Sequence, residues 1–262
     1  MIGYTVSFLE GSSGRFIANI LYLLTNSIDN DLEFDHVNSS HDNTLYKSNI
    51  DFLLIPDINH EAQTNYLRLF RHLRFLPTDY TAVLPTHSYP LTEDLDANPH
   101  AHTFNMVVME LAEQDLIEVN VNHIIKNIWP LLEKIRSIGF DNLSATDNAY
   151  LNHTVKSLSE FKVNLMQLDR VEVLERYARL SAEKQLNTNY IRFINPVIDP
   201  KYLDKTLVLK YSDLYKETTT GYIALDVLCK FAKVPVTEQI LVTYRKYVNG
   251  RKQLLKRFDF IK

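Results

Sequence analysis

Apolar residues in the first part of the chain follow two patterns in succession. Tyr4–Leu9 is rich in aromatic and β-branched side chains, which is typical of a β-strand. A polar cluster, Glu10–Gly14, interrupts the run, and beyond it Phe16, Ile20 and Leu24 recur at the spacing of one helical face. The chain therefore begins with a predicted strand, a glycine-containing loop and a helix.

The rest of the chain repeats this alternation. Further strand-like runs are Phe52–Ile55, Tyr80–Leu84, Asn105–Leu111 and Leu207–Lys210. Helical spacing of apolar residues covers six segments: Gln63–Leu73, Leu116–Ile138, Asn148–Leu168, Val171–Lys184, Tyr222–Ala232 and Thr237–Leu255. We expect the second of these helices to bend or break near Pro130, because proline removes a backbone donor from a helix.

Strands that alternate with helices predict an α/β fold of three layers, with a mostly parallel central sheet covered by helices on both faces. We find no internal repeat and no low-complexity linker in the sequence. The simplest interpretation is one domain over residues 1–262, with a helical insertion at about 112–190.

Composition and charge narrow the class of protein. Apolar residues make up 45% of the 262 residues and charged residues 23%, as in an ordinary globular protein. The net charge of −4 disfavours a nucleic-acid binder, which needs a basic face. The single cysteine, Cys229, lies in an apolar helical stretch, so we expect a buried structural thiol.

The sequence also indicates where the protein works. No basic and apolar leader opens the chain, and no apolar run approaches the length of about 18 residues that a membrane span needs. We therefore expect a cytoplasmic protein with no membrane partner. High usage of Asn, Ile, Lys and Tyr is typical of an AT-rich genome, viral or bacterial, and a viral source would mean the host cytoplasm.

The loop between the first strand and the first helix has the composition of an anion site. Gly11 and Gly14 allow a sharp turn and a close approach of the backbone to a ligand oxygen. Ser12 and Ser13 add hydroxyls, Arg15 adds a permanent charge, and the helix N-terminus adds unpaired N–H groups. The alternative is a plain strand-to-helix turn with a serine N-cap.

Three segments in the right order along the chain resemble the sulfotransferase family. The short serine-rich loop, Gly11–Phe16, is similar to the loop that binds the phosphosulfate of the donor 3′-phosphoadenosine 5′-phosphosulfate (PAPS). Val83–Pro90 is similar to the strand followed by Thr-His and a proline, and Leu207–Leu214 to the late strand that ends in a Tyr-Glu-Asp-Leu motif. Tyr222–Phe231 resembles the helix that follows.

The resemblance implies a P-loop-like enzyme that transfers a sulfonyl group from PAPS to a hydroxyl or amine of a small-molecule or glycan acceptor and releases PAP, with no metal. His87 would act as base or leaving-group stabiliser, since its ordinary pKa of about 6.5 suits proton transfer. The donor would contact a set of loop and C-terminal residues: Gly11, Ser12, Ser13, Gly14, Arg15, Phe16, Arg251 and Lys252.

Two rival interpretations stay open. The segment after Asn105–Leu111 is acidic and lacks the arginine with which sulfotransferases bind the 3′-phosphate, which favours a catalytically degenerate protein that serves as a structural or binding component of an assembly. The second rival interpretation is a phosphoryl transferase with an atypical phosphate-binding loop. Asp115 and Glu118 are candidate acid–base groups or partners of the helix dipole. A homo-oligomer is compatible with all three.

Overall fold

The computed structural model describes most of the chain outside the segment between the first helix and the second strand. The described residues are 3–9, 12, 14–25, 81, 83–86, 89–90, 95–96, 104–215 and 218–257.

Four parallel strands form one sheet. They are β1 (Gly3–Ser7), β2 (Val83–Thr86), β3 (Phe104–Glu110) and β4 (Thr206–Lys210). Their order is β2-β1-β3-β4, so β1 and β3 are the two inner strands of the described sheet. Every pairing is parallel, which confirms a mixed α/β fold with a parallel sheet.

Burial follows from the position of each strand. All five residues of β1 are buried, including the polar Thr5 and Ser7, as expected of a strand that is covered on both faces. β4 lies at the edge, and only Leu209 is buried in it. The predicted strand Phe52–Ile55 lies outside the described residues, as does the predicted helix Gln63–Leu73.

Eight α-helices accompany the sheet in the part of the chain that the structure describes. Their bounds are α1 (Gly14–Thr25), α2 (Asp115–His123), α3 (Trp129–Ile138), α4 (Ala145–Glu160), α5 (Val171–Leu186), α6 (Tyr211–Tyr215), α7 (Thr218–Ala232) and α8 (Glu238–Arg257). Short 3₁₀ turns lie at Phe140–Asn142, Leu165–Gln167, Asn189–Phe193 and Pro200–Lys205. From Asp115 to Leu186 the chain forms no strand.

The predicted break near Pro130 is confirmed, and it takes the form of a π-helical turn. Ile124–Ile128 is π-helical and joins α2 to α3, with Pro130 at the start of α3. Proline cannot donate to the carbonyl four residues earlier, and its ring crowds that carbonyl. The wider π-turn accommodates both constraints while the helix continues.

The predicted helix Asn148–Leu168 is wrong at its C-terminal end. α4 stops at Glu160, and Lys162 adopts a left-handed conformation with φ of 54°. The N–H of Val163 then donates to the carbonyl of Leu158 at 3.1 Å, and the N–H of Lys162 donates to that of Ser159 at 3.0 Å. These two bonds form a Schellman motif, in which lysine takes the position where glycine is usual.

Two hydrophobic clusters organise the molecule. The sheet core combines β1, β3, α1, α7 and α8 around residues such as Val6, Ile17 and Leu225, each fully buried. The helical core combines α3, α4 and α5 around Leu132 and Leu158. Ile117 of α2 packs against both clusters, so α2 joins the two regions.

Cys229 is buried on α7, as the sequence predicts. Its thiol is buried, and burial raises its pKa to about 11, with a further contribution from Asp226. A thiol in this state is a poor nucleophile at neutral pH. The structure therefore gives Cys229 a packing role.

Candidate functional site

The order of the strands indicates at which edge of the sheet a ligand site is expected. The chain passes from β1 to β2 on one side of β1, and then to β3 on its other side. In open parallel sheets ligands bind outside the carboxyl ends of the strands, at the point where the order reverses. Here that point lies beyond the carboxyl ends of β1 and β3, where the predicted anion loop and the start of α2 are found.

The described part of the loop is a tight turn. The N–H of Ser12 donates to the carbonyl of Leu9 at 3.0 Å, and the Ser12 hydroxyl donates to the same carbonyl at 2.6 Å. Ser12 is fully buried. Its only hydroxyl proton is committed to the turn, so this side chain can accept from a ligand but cannot also donate to it.

The glycine at the start of α1 is required by packing. A Cβ on Gly14 would lie 2.1 Å from Cγ of Phe8, which is buried against the helix. Two residues on, Phe16 is buried and stacks on Tyr247 of α8 with ring centroids 3.8 Å apart. The Phe16 side chain is therefore part of the sheet core, and any ligand contact at this position belongs to its backbone.

Several predicted site residues lie outside what the structure describes. They are Gly11, Ser13 and His87, while the backbone of Arg15 lies in the first turn of α1 and its side chain is not described. In sequence His87 directly follows Thr86, where β2 ends. Tyr89, two residues further, donates a hydrogen bond to the carbonyl of Val197 at 3.0 Å and packs edge-on against Phe193.

Phe193 connects Tyr89 to the end of β3. Its carbonyl accepts the N–H of Leu111 at 2.8 Å, and Leu111 comes directly after β3. The chain just after β2 and the chain just after β3 thus meet at Phe193. This contact places Tyr89, just after β2, near the carboxyl end of β3.

Among the predicted donor contacts whose side chains the structure describes, Arg251 is the one surrounded by polar and aromatic groups. It lies on α8 with 2% of its surface exposed, and its Nη2 donates to Oε1 of Glu118 on α2 at 2.6 Å. The guanidinium also lies 4.7 Å from the ring centre of Tyr211 and 4.8 Å from that of Tyr215. We name Arg251, Glu118, Tyr211 and Tyr215 the Arg251 cluster.

The cluster leaves part of the guanidinium unsatisfied. Nε and Nη1 of Arg251 are buried and have no hydrogen-bond partner among the residues that the structure describes. Burial lowers the pKa of Arg251 to about 10, while the charges of Glu118 and Asp115 act in the opposite direction. A buried cation with unused donors is costly, and an anionic acceptor would relieve that cost.

Glu118 completes the cluster from the other side. The hydroxyl of Tyr211 donates to the same Oε1 at 3.0 Å, so one carboxylate oxygen accepts from both a guanidinium and a phenol. Asp115, one turn earlier, is buried and accepts the N–H of Ala112 at 3.2 Å, which fastens the start of α2. The predicted acid–base candidates therefore serve here as ion-pair and capping groups.

Lys252 does not share this environment. It is the next residue on α8, and its side chain is half-buried, whereas Arg251 is buried. The two side chains of the predicted basic pair, Arg251 and Lys252, therefore face different environments, because consecutive helix residues point about 100° apart. α8 is continuous through both residues, so they belong to a helix rather than to a loop that covers a ligand.

The sequence held a signal for the Arg251 cluster that composition alone does not reveal. Arg251 continues the apolar stripe of α8 that runs through Tyr244, Tyr247 and Leu255, all buried. A charge at a stripe position predicts a buried and paired group. Tyr211 lies directly after β4, and its bond to Glu118 does not follow from spacing along the chain, because 93 residues separate the two.

Comparisons with models of known protein families, with curated proteins and with solved structures give no match. Among the described residues no group of three or more His, Cys, Asp or Glu could hold a metal ion. No helix in the described part of the chain is both long and apolar enough to cross a membrane.

Proposed function

We propose that the protein is a sulfonyl transferase of the P-loop-like, three-layer α/β type, with PAPS as donor and a hydroxyl or amine of a small molecule or glycan as acceptor. The observation that carries the proposal is the Arg251 cluster, whose guanidinium retains two buried donors beside the carboxyl ends of β3 and β4. An anion is the ligand that such donors accept best.

The fold supports the same proposal. β1 is an inner strand of a parallel sheet, and it leads through a tight turn into the N-terminus of α1, where backbone N–H groups favour anions. The acceptor would approach from the side of the helical region. The three layers and the sulfotransferase topology belong to this proposal, as does a cytoplasmic location.

The proposed reaction is an in-line displacement at sulfur. The acceptor oxygen or nitrogen forms a bond to sulfur while the bond from sulfur to the bridging phosphate oxygen breaks, and PAP leaves with that electron pair. His87 takes the acceptor's proton as general base. The N-terminus of α1 and Arg15 would stabilise the charge that develops on the leaving phosphate.

Isothermal titration with PAP tests the proposal through Glu118. Glu118 competes with any anion for Arg251, so Glu118→Gln should bind PAP several-fold more tightly than the parent. Glu113→Gln is the matched control, because it removes one exposed carboxylate near the start of the same helix. No PAP binding to the parent and to Glu118→Gln would reject the proposal.

A second candidate function has its own support. Arg251 is held by Glu118 and the hydroxyl proton of Ser12 is held by Leu9, so two predicted donor contacts are occupied within the protein. This arrangement favours a catalytically inactive protein of the same fold that acts as a component of an assembly. A stable oligomer in solution that binds neither PAP nor ATP would support it over the transferase.

A further inference from the structure

A second polar region lies in the helical part of the molecule and is independent of the proposed function. It is a cavity of about 410 Å³ between α2, α4 and α5, which is within the range of small-molecule sites, roughly 300–1,000 Å³. Neither the described part of the β1–α1 loop nor the Arg251 cluster lines it. We name it the polar pocket and define it by Asn120, His153, Thr154, Tyr177, Ser181 and Gln185.

Most residues that line the pocket carry a polar group, although apolar atoms make up the larger part of its surface. The described residues that line it include amides, hydroxyls, two tyrosines and two histidines, and none of them is Asp, Glu, Lys or Arg. An ionised ligand would therefore meet no permanently charged side chain among these residues to offset its desolvation. A ligand with neutral donors and acceptors could pair with the amides and hydroxyls of the lining.

A buried amide orients the groups that face the cavity. Asn120 is 5% exposed, and its amide exchanges two hydrogen bonds with Gln185, at 3.0 Å from its Nδ2 and 3.3 Å to its Oδ1. Its Oδ1 also accepts the hydroxyl of Ser181 at 2.9 Å, and its Nδ2 donates to the carbonyl of Leu116 at 2.8 Å. These bonds use both amide protons and both lone pairs of Asn120.

The residues that Asn120 holds keep capacity for a ligand. Gln185 retains one N–H and one lone pair, and Ser181 retains the lone pairs of its hydroxyl oxygen. Across the cavity Ser157 lies 3.5 Å from the hydroxyl of Tyr177, and the buried Thr154 lies one helical turn from Ser157. Donors and acceptors from both α4 and α5 thus line the cavity, together with the ring of Tyr177.

The π-helical turn contributes to the same pocket. Ile128, its last residue, and His123, which precedes it, both line the cavity. The extra residue of a π-turn shifts the register of the helix face, and such turns are frequent at functional sites. Here the shift lies at the boundary between α2 and α3, beside the pocket.

We propose that the polar pocket binds a neutral polyhydroxylated small molecule, of the size of a monosaccharide or disaccharide. Fixed amides and hydroxyls match the alternating donors and acceptors of sugar hydroxyls, and Tyr177 offers an aromatic wall to an apolar sugar face. Gln185 and Ser181 bind the ligand, and Asn120 is a positioning residue that acts through both.

The test follows the imidazole resonances of His123 and His153 by NMR while the full chain is titrated with D-glucose, N-acetyl-D-glucosamine, maltose and myo-inositol. At least one of these probes should shift both signals in a saturable manner at millimolar concentration. Glucose 6-phosphate should bind at least ten-fold more weakly than glucose if the neutral lining selects the ligand. Binding that is tighter for the phosphate would overturn the proposed class.

Two variants make the result specific to the pocket. Gln185→Ala should weaken binding at least ten-fold, whereas Gln253→Ala, an exposed glutamine on α8, should leave it unchanged. Ser181→Ala is the milder second variant if Gln185→Ala unfolds. The proposal is wrong if no probe shifts the histidine signals, which means a water-filled cavity only, or if Gln185→Ala and Ser181→Ala both bind as the parent does.

Discussion

Helix α2 carries two polar residues, Glu118 and Asn120, that serve different regions of the molecule. Side chains two positions apart on a helix point to nearly opposite sides. Glu118 faces α8 and the end of β4, where it pairs with Arg251, and Asn120 faces α5, where it pairs with Gln185. One helix thus separates a charged cluster from a neutral pocket.

The two regions satisfy their buried polar groups in different ways. In the Arg251 cluster the charge is enclosed by two tyrosine rings and one carboxylate, with 2% of Arg251 exposed. In the polar pocket a neutral amide network borders an open cavity. A buried charge must be paired and enclosed, whereas neutral amides can satisfy one another and still face a ligand or water.

The comparison implies different sensitivities to substitution. Loss of one partner in the cluster leaves a buried charge without compensation, and loss of one partner in the pocket leaves neutral groups that water can reach. We therefore expect substitutions in the Arg251 cluster to lower the free energy of unfolding more than substitutions in the polar pocket.

The largest expected effect is that of Arg251→Met. The substitution keeps an apolar stem on the stripe of α8 but leaves Glu118 with only the hydroxyl of Tyr211 as partner. Breaking a fully buried ion pair costs about 3–5 kcal/mol of unfolding free energy, and the loss should lie near the lower end of that range because the remaining Glu118 side chain is 20% exposed. Urea denaturation at neutral pH measures it, and Lys252→Met is the control. A loss as small as that of the control would contradict the difference between the two regions.

Asn120→Ala should have a smaller effect. It removes the amide that holds Gln185 and Ser181, which costs about 1–3 kcal/mol if those groups stay unsatisfied and less where water reaches them. The matched control is Asn152→Ala, an exposed asparagine on α4 that does not line the pocket. If Asn120→Ala lowered the free energy of unfolding more than Arg251→Met does, the expected order of the two regions would be wrong.

Alkaline pH should act on the sheet core through its tyrosines. Burial raises the pKa of Tyr244 to about 12, so above pH 10 the unfolded chain loses this proton before the folded protein does. The stability that neutral Tyr244 contributes is therefore complete below pH 10 and is lost as pH rises toward 12. The same sign holds for Tyr215, whose pKa burial raises well above its usual value.

Tyr244→Phe isolates this contribution. At neutral pH the variant should lose about 1 kcal/mol, because it lacks the hydrogen bond from the Tyr244 hydroxyl to the carbonyl of Leu214. The difference between parent and variant should then narrow between pH 10 and pH 12, as followed by thermal unfolding. A difference that stays constant across this range would show that Tyr244 ionises equally in both states.

Much of the fold could be predicted because its patterns are local. Strands of a buried parallel sheet are nearly continuous apolar runs, and Asn105–Leu111 predicted β3 to within one residue. Pro130 predicted the break between α2 and α3, because the missing N–H acts on its own helix. The end of α4 was missed because a lysine, Lys162, occupies the left-handed position where a glycine would have been a signal.

The two polar regions were harder to predict because they depend on contacts between distant segments. Arg251 and Glu118 are 133 residues apart, and the bond between Asn120 and Gln185 spans 65 residues. Helical spacing gave one weak signal of the pocket, because Tyr177, Ser181 and Gln185 recur four residues apart and form a polar stripe on α5. What the stripe faces, and that it borders a cavity, comes only from the packing of α2 and α4.

The smallest expected effect concerns the coupling between the two regions. If α2 separates them, the double variant Glu118→Gln/Asn120→Ala should lose the sum of the two single losses, to within about 0.3–0.5 kcal/mol. The two side chains share no partner, since Glu118 contacts Arg251 and Tyr211 whereas Asn120 contacts Leu116, Gln185 and Ser181.

Their only common element is the backbone of α2, which Asp115 fastens at its start. Urea denaturation of the parent, both single variants and the double variant measures the coupling. An interaction energy well above 0.5 kcal/mol would mean that α2 shifts as a unit when either side changes. A ligand in the polar pocket would then alter the Arg251 cluster, whereas additivity means that each site can be occupied without an effect on the other.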